Sequence, residues 1–317
     1  MNKNLKIYIT GHNNLVGSAI HRKLEKEGYT NLLISNGSVQ DLRNYVWVAD
    51  FFQRERPDYV FLTSESLRKR LVNDAARSVD LYERLQVQSN IIHLSYLTGV
   101  KKLMLIASDC ISSQLAHPPI KNICLLDSLF DETNEYAVAE IIGIKMCDAY
   151  RKRYDCNFIS VLTASLYGYN DNYDLNNSHI LPSLIRKFQD AKMKKNANMA
   201  IPGAAGALFE FLFADDMAKA CKDLMINYNG TAPVFIGSGE DITMETLTQM
   251  IKDLIKYQGN IHFDETIPDI FLGKPMSISI SLKKEWDHFI GLQNGIKLVY
   301  QDFLMIHYPE IFFQSDL

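Results

Sequence analysis

The sequence predicts an α/β fold: a doubly wound parallel sheet with a smaller carboxyl-terminal α/β lobe. Three observations carry this. Short β-rich apolar runs alternate with helical stripes from residue 6 to about residue 165, the pattern of strand–helix–strand crossovers. The first such unit turns through G-H-N-N-L-V-G at 11–17, with glycines at its outer positions. And 317 residues, 47% of them hydrophobic, suffice for one large domain and a lobe. Residues 1–170 are expected to form the first domain. Residues 171–317 supply mainly the lobe, with some strands and helices returning to the first domain.

The elements follow in order. Residues 6–10 alternate as a strand, and Leu15, Val16, Ala19, Ile20 and Leu24 form the stripe of the first helix. The turn between them lets backbone N–H groups and a helix N-terminus cradle a pyrophosphate; the plainer reading is an ordinary strand-to-helix turn. Gly11, Asn14, Leu15, Val16 and Gly17 are the expected contact residues. Residues 32–35 form a second strand, followed by Ser35, Asn36, Gly37 and Ser38. That stretch carries neither the acid of an NAD site nor the arginine of an NADP site. Asp41 and Leu42 either face an adenine edge or, for Asp41, cap a helix over 43–55. Residues 59–63 are a third strand. Residues 73–98 form a long amphipathic helix with Ala75, Val79, Leu81, Leu85, Ile91, Ile92 and Leu94 on its apolar side.

The run Leu103, Met104, Leu105, Ile106 reads as a buried strand, with Ser108 and Cys110 just past its carboxyl end. Open α/β sheets bind ligands there. A helical pattern from Tyr136 (Ala137, Ala139, Ile141, Ile142, Ile144, Met146) brings that phenol back over the strand end. A hydroxyl, a thiol and a phenol on one cleft suit proton transfer at a carbon beside a carbonyl. Another strand covers 158–162, and a helix begins near His179. The lobe adds a strand that Asp215 caps before a helix, helices over 244–257 and about 292–305, and a strand over 261–263.

Composition excludes several classes. A net charge of −4 gives no support for general nucleic-acid binding. No apolar run approaches the ~18 residues of a membrane span, and 1–6 lead straight into a strand with no secretory signal. The five cysteines show no CxxC spacing and cannot all pair, which points to a reducing cytoplasm and no structural zinc.

Together the motifs I-Y-I-T-G-H-N-N-L-V-G-S-A-I, Q-S-N-I-I-H, S-D-C-I, T-N-E-Y-A-V-A-E-I-I-G-I-K, L-Y-G-Y-N-D-N, N-S-H-I-L-P-S-L-I-R-K-F, F-E-F-L-F-A-D-D-M-A and F-D-E-T-I-P-D resemble the GDP-L-fucose synthase family. This is a branch of the extended short-chain dehydrogenase/reductase superfamily. The motifs run in the family's order over nearly the whole chain. The resemblance implies a Rossmann-type domain, an NADP site (NAD remaining possible), a GDP-sugar site in the lobe, and a homodimer through helices 73–98 and 136–153. It places the family's serine on Ser108, its epimerisation cysteine on Cys110, its tyrosine on Tyr136 and its epimerisation acid on His179. It implies substrate contacts from Lys187, Asp269 and Lys274, and no metal.

The chain also departs from that pattern. The lysine expected four residues after the tyrosine is Glu140, the middle glycine of the turn is Asn14, and an arginine expected to meet the diphosphate is Phe209. A nearby histidine is Phe213, and a small Val-Gly-Gly loop is Leu67-Arg68-Lys69. A carboxylate beside a phenol raises its pKa, where the lysine would lower it. Three readings follow. One is a GDP-4-keto-sugar 3,5-epimerase, Cys110 as base and His179 as acid, with 4-reduction impaired or absent. Another is a catalytically inactive homologue that partners or regulates an active nucleotide-sugar enzyme. The third is a complete NADP-dependent epimerase/reductase.

Overall fold

A computed structural model describes residues 2–34, 42–63, 74–108, 135–175, 178–264, 280–281 and 289–313. Its centre is a parallel sheet of seven strands in the order β12-β9-β5-β4-β3-β1-β2. These are β1 (Ile7–Ile9), β2 (Leu32–Ile34), β3 (Tyr59–Thr63), β4 (Lys102–Ser108), β5 (Phe158–Thr163), β9 (Val234–Gly237) and β12 (Ile280–Ser281). Each of β1, β3, β4 and β5 is buried on both faces, so these strands read as unbroken apolar runs. The helices between them are α1 (Leu15–Lys26), α2 (Tyr45–Glu55), α3 (Asp74–Leu97) and α4 (Glu135–Tyr154). The order reverses at β1, which lies between β2 and β3, and such a reversal opens a crevice at the strands' carboxyl ends.

The lobe has a core of its own. It comprises β6 (Ser165–Tyr167), α5 (Ile180–Met193), β7 (Asn198–Pro202), β8 (Leu208–Phe213), α6 (Ala214–Asn227), β10 (Asp241–Thr243), α7 (Met244–Ile255), β11 (Asn260–Asp264), α8 (Leu292–His307) and α9 (Pro309–Phe312). Tyr167, Leu181, Phe188, Phe209, Phe213, Leu247, Val299 and Phe303 pack into this second core, while α6 lies against α1 and joins the first. The run at 234–237, which the sequence patterning did not single out, is the strand that returns to the main sheet beside β5.

Several expectations need correction. β4 extends through Ser108, so that serine ends the strand rather than following it. The helix after β2 begins at Tyr45 and is capped by Asn44, whose side chain accepts from the Trp47 N–H at 3.2 Å. On α3, Val79 is 55% exposed, and the buried face instead includes Arg84 and Gln88. On α4, Ile142 points outward while Glu140 is fully buried. Both changes have one cause: α3 and α4 pack on each other as well as on the sheet, so their inner faces follow the helix–helix contact rather than the apolar stripe alone. No described helix is long and apolar enough to cross a membrane.

Candidate active site at the carboxyl edge of the sheet

The β1–α1 turn is held tightly from below. Thr10 and Thr63, at the ends of β1 and β3, clasp each other: the Thr63 N–H donates to Thr10 Oγ1 at 2.8 Å, and the Thr63 hydroxyl donates to Thr10 O at 3.0 Å. Gly11 sits at φ +62°, in the left-handed region that favours glycine. A Cβ on Gly17 would collide with the Gly11 and Thr10 carbonyl oxygens, so the helix can begin this close to the strand only through a glycine. Asn14 caps the helix, its Oδ1 accepting from the Gly17 N–H at 2.9 Å. Leu15 and Val16 are buried at the start of α1, where the first N–H groups precede any intrahelical acceptor. His12, half-buried in the same turn, is held below the ordinary imidazole range by burial and then by His21, which favours its neutral form. The cradle is therefore built from backbone N–H groups rather than from a charged side chain. A turn of this kind can hold an anion such as a pyrophosphate.

Of the other expected contacts, Leu42 is buried in the first core, with its carbonyl accepting from the Asn90 side chain at 3.0 Å. Asp41 lies outside the described residues.

The residues expected to carry chemistry lie on β4, at the start of α4 and at the start of α5. Ser108 closes β4, paired in register with Thr163 of β5. Tyr136 is the second residue of α4. Because α4 leads back to the start of β5, its amino end lies at the same sheet edge as Ser108. Glu140, one turn further along, is 0% exposed. His179 is the N-cap of α5 at φ −64°, ψ 167°, yet its side chain makes no cap hydrogen bond to the helix. Lys187 lies on the half-buried side of the same helix. Cys110, Asp269 and Lys274 lie outside the described residues.

Three features were not legible beforehand. Phe209, at the expected arginine position, is buried and stacks on Phe211 with ring centres 6.0 Å apart. Glu210 beside it is buried, accepts the Gly239 N–H at 2.7 Å, and is pushed above the usual carboxylate range by burial. Arg22 of α1 ties the two halves together: it donates to Asp215 Oδ1 at 2.5 Å and lies over the Tyr169 ring, 5.5 Å from its centre. The partners are 193 residues apart, and no local spacing signals the pair. A cleft of about 610 Å³ also opens beside β8 and β10, but Glu240 and Asp241 in its wall make it a poor host for a diphosphate.

A doubly wound sheet with a glycine-bearing first turn and a second core beside it defines a nucleotide-binding α/β protein. The chain belongs to the NAD dependent epimerase/dehydratase family, whose pattern matches residues 7–235, and within it to the GDP-L-fucose-synthase-like nucleotide-sugar proteins. It is 38% identical to GDP-L-fucose synthase 1 of Arabidopsis thaliana over 303 residues, which is 95% of this chain and 94% of that one. Among solved structures it is similar to a GDP-6-OMe-4-keto-L-xylo-heptose reductase from Campylobacter jejuni, with TM-score 0.85 and 30% identity over 97% of this chain and 99% of that one. It is also similar to a GDP-mannoheptose C4 reductase from Campylobacter jejuni with NADP bound, with TM-score 0.79 and 30% identity over 96% and 99%.

Proposed function

We propose that the chain acts on a GDP-4-keto sugar as a 3,5-epimerase, with hydride transfer to C4 impaired. The observation that carries the second half is Glu140: fully buried, and one helical turn from Tyr136. Residues four apart on a helix are neighbours, and a buried carboxylate there opposes ionisation of the phenol. Family likeness over nearly the full length supports the substrate class.

Epimerisation needs no hydride. The Cys110 thiolate takes a proton from C3 or C5: the C–H bond breaks, an S–H bond forms, and the electron pair moves onto the C4 carbonyl oxygen. The Ser108 and Tyr136 hydroxyls hold that oxygen by hydrogen bonds, which strengthen as negative charge grows on it. Protonated His179 then returns a proton on the opposite face. An N–H bond breaks and a C–H bond forms, so the balance is neutral. Lys187, Asp269 and Lys274 are assigned to the GDP-sugar. The turn of Gly11, Asn14, Leu15, Val16 and Gly17, with Asp41 and Leu42 at the adenine end, is assigned to NADP. When bound, that group supplies a hydride for C4.

The likeness to two heptose reductases favours a second reading, in which C4 reduction survives and the sugar is longer than a hexose. One assay separates them: incubation with a GDP-4-keto-6-deoxyhexose and a GDP-4-keto-heptose in D₂O, following deuterium uptake and NADPH oxidation together. Uptake without oxidation, abolished by Cys110→Ser, is the expected result, with oxidation restored by Glu140→Lys. Oxidation in the unaltered protein sinks the impaired-reductase reading. Neither signal, together with stimulation of an active relative on mixing, supports the inactive-partner reading. A homodimer through α3 and α4 accords with the exposed Val79, Tyr82, Ile142 and Tyr154 on those helices. Sedimentation of a monomer alone would remove that part.

A further inference from the structure

The chain contains three Asn-Gly pairs, and two of them lie in the described residues in contrasting settings. Glycine carries no Cβ, so its nitrogen can approach the preceding asparagine side chain closely. Asn294-Gly295 lies inside α8, where the Gly295 N–H donates to Gly291 O at 3.0 Å. Asn229-Gly230 follows α6, outside any helix or strand, and Asn229 is exposed. Among the described residues the Gly230 N–H has no hydrogen-bond partner. The Asn229 side-chain carbonyl is gripped from the protein side: Oδ1 accepts from Asn157 Nδ2 at 2.8 Å and from the Lys102 ammonium at 3.4 Å. The Arg151 guanidinium donates to the Asn229 backbone carbonyl. Lys102 is 3% exposed, and its other acceptors are Leu224 O, at 3.0 Å, and Tyr228 O. Among the described residues its hydrogen-bond partners are thus all carbonyl oxygens. Burial, and then Arg151, holds its pKa down at about 8. A buried ammonium without a counter-charge is costly.

We propose that Asn229 is a self-modifying residue, converted to aspartate through a cyclic imide with Gly230. The Gly230 nitrogen attacks Asn229 Cγ: an N–C bond forms, the nitrogen gives its proton to solvent, and Nδ2 leaves as ammonia. Water then opens the ring, and breaking the Cγ–N bond restores the backbone and leaves a carboxylate at residue 229. The sum is one water consumed and one ammonia released, with no other reactant. Lys102 and Asn157 favour the attack, because donors on Oδ1 stabilise the negative oxygen that develops there. They also favour the product: the carboxylate keeps both donors and gives the buried ammonium its counter-charge. Lys102 begins β4, whereas Ser108 ends it at the opposite edge of the sheet. The exchange therefore alters stability rather than the chemistry at the carboxyl edge.

The test is peptide mapping by mass spectrometry of the purified full-length protein, incubated folded and in urea, with thermal unfolding alongside. In the folded protein Asn229 should convert at least about 10-fold faster than Asn294, because the Gly295 nitrogen is freed only by local opening of α8. In urea the two rates should converge, since both pairs then sit in open chain. Lys102→Met should slow conversion at residue 229 by about 10-fold, the worth of one charged hydrogen bond. Asn229→Asp should melt about 2 °C above the unaltered protein, and that gain should vanish in the Lys102→Met background. A folded-state rate at Asn229 no greater than at Asn294 overturns the proposal, and that comparison needs no variant. A lower melting temperature for Asn229→Asp overturns the counter-charge that is said to favour the product.

Discussion

The N-caps of α1 and α5 are used differently. On α1 the Asn14 side chain is bonded to the helix it starts, through the Gly17 N–H at 2.9 Å. On α5 the His179 side chain makes no such bond, although its backbone is extended as a cap's should be and its carbonyl accepts from the Ser183 N–H at 3.0 Å. The Asn14 side chain serves the helix it starts; the His179 side chain does not cap its own. A small amide is a good cap; an imidazole is a poor one, and its placement at the start of α5 is not explained by helix stability.

The comparison can be broken most severely at Gly17. Gly17→Ala drives a Cβ into backbone carbonyls that have no rotamer to yield, so it should cost about 3 kcal/mol in urea unfolding and abolish NADPH binding. A wild-type midpoint would show that the turn can relax. Next comes the pair of caps. Asn14→Ala should cost about 1 kcal/mol, whereas His179→Ala should stay within about 0.5 kcal/mol. His179→Ala should nonetheless stop deuterium exchange into the sugar; equal destabilisation of the two variants would make His179 a structural cap. Arg22→Met, which breaks the tie to Asp215 across α1 and α6, should cost about 1 kcal/mol, because both partners are about one-third exposed and solvent screens them. No loss at all would mean that packing alone joins the two helices.

The smallest effect is a pH slope. Burial raises the carboxyls of Glu210 and Asp216, so the folded protein holds those protons more firmly than the unfolded chain. Their contribution is therefore greatest at low pH and declines as pH rises from the ordinary carboxylate range through the raised values. Glu210→Gln keeps an acceptor for the Gly239 N–H and should flatten that part of the stability profile. An unchanged slope would assign it to other groups.

Much of the fold was legible because β1, β3, β4 and β5 are buried on both faces and α1 on one, so burial and sequence period coincide. β3 spans residues 59–63 in both descriptions for this reason. Legibility failed where helix packed on helix. Val79 and Ile142 look like core residues by spacing and are exposed, while Arg84 and Glu140 look like surface residues and are buried. It failed again at 234–237, a short strand defined only by the neighbour it pairs with. Within the site, the glycines of the first turn and the start of α4 were readable, since each is fixed by a local change from strand to turn or turn to helix.

What the sequence determined by itself was local: the period of each element, the glycine-spaced turn, and the identities of Ser108, Cys110, Tyr136, Glu140 and His179 along the chain. What only the tertiary structure decided was direction and distance. It sets the Asn14 amide over Gly11, buries Glu140, turns Phe209 into the second core and brings Arg22 to Asp215. The physical reason is that backbone propensity and hydrophobic period act over a few residues. Burial of a polar side chain and the choice of its partner are settled only when distant segments are packed together.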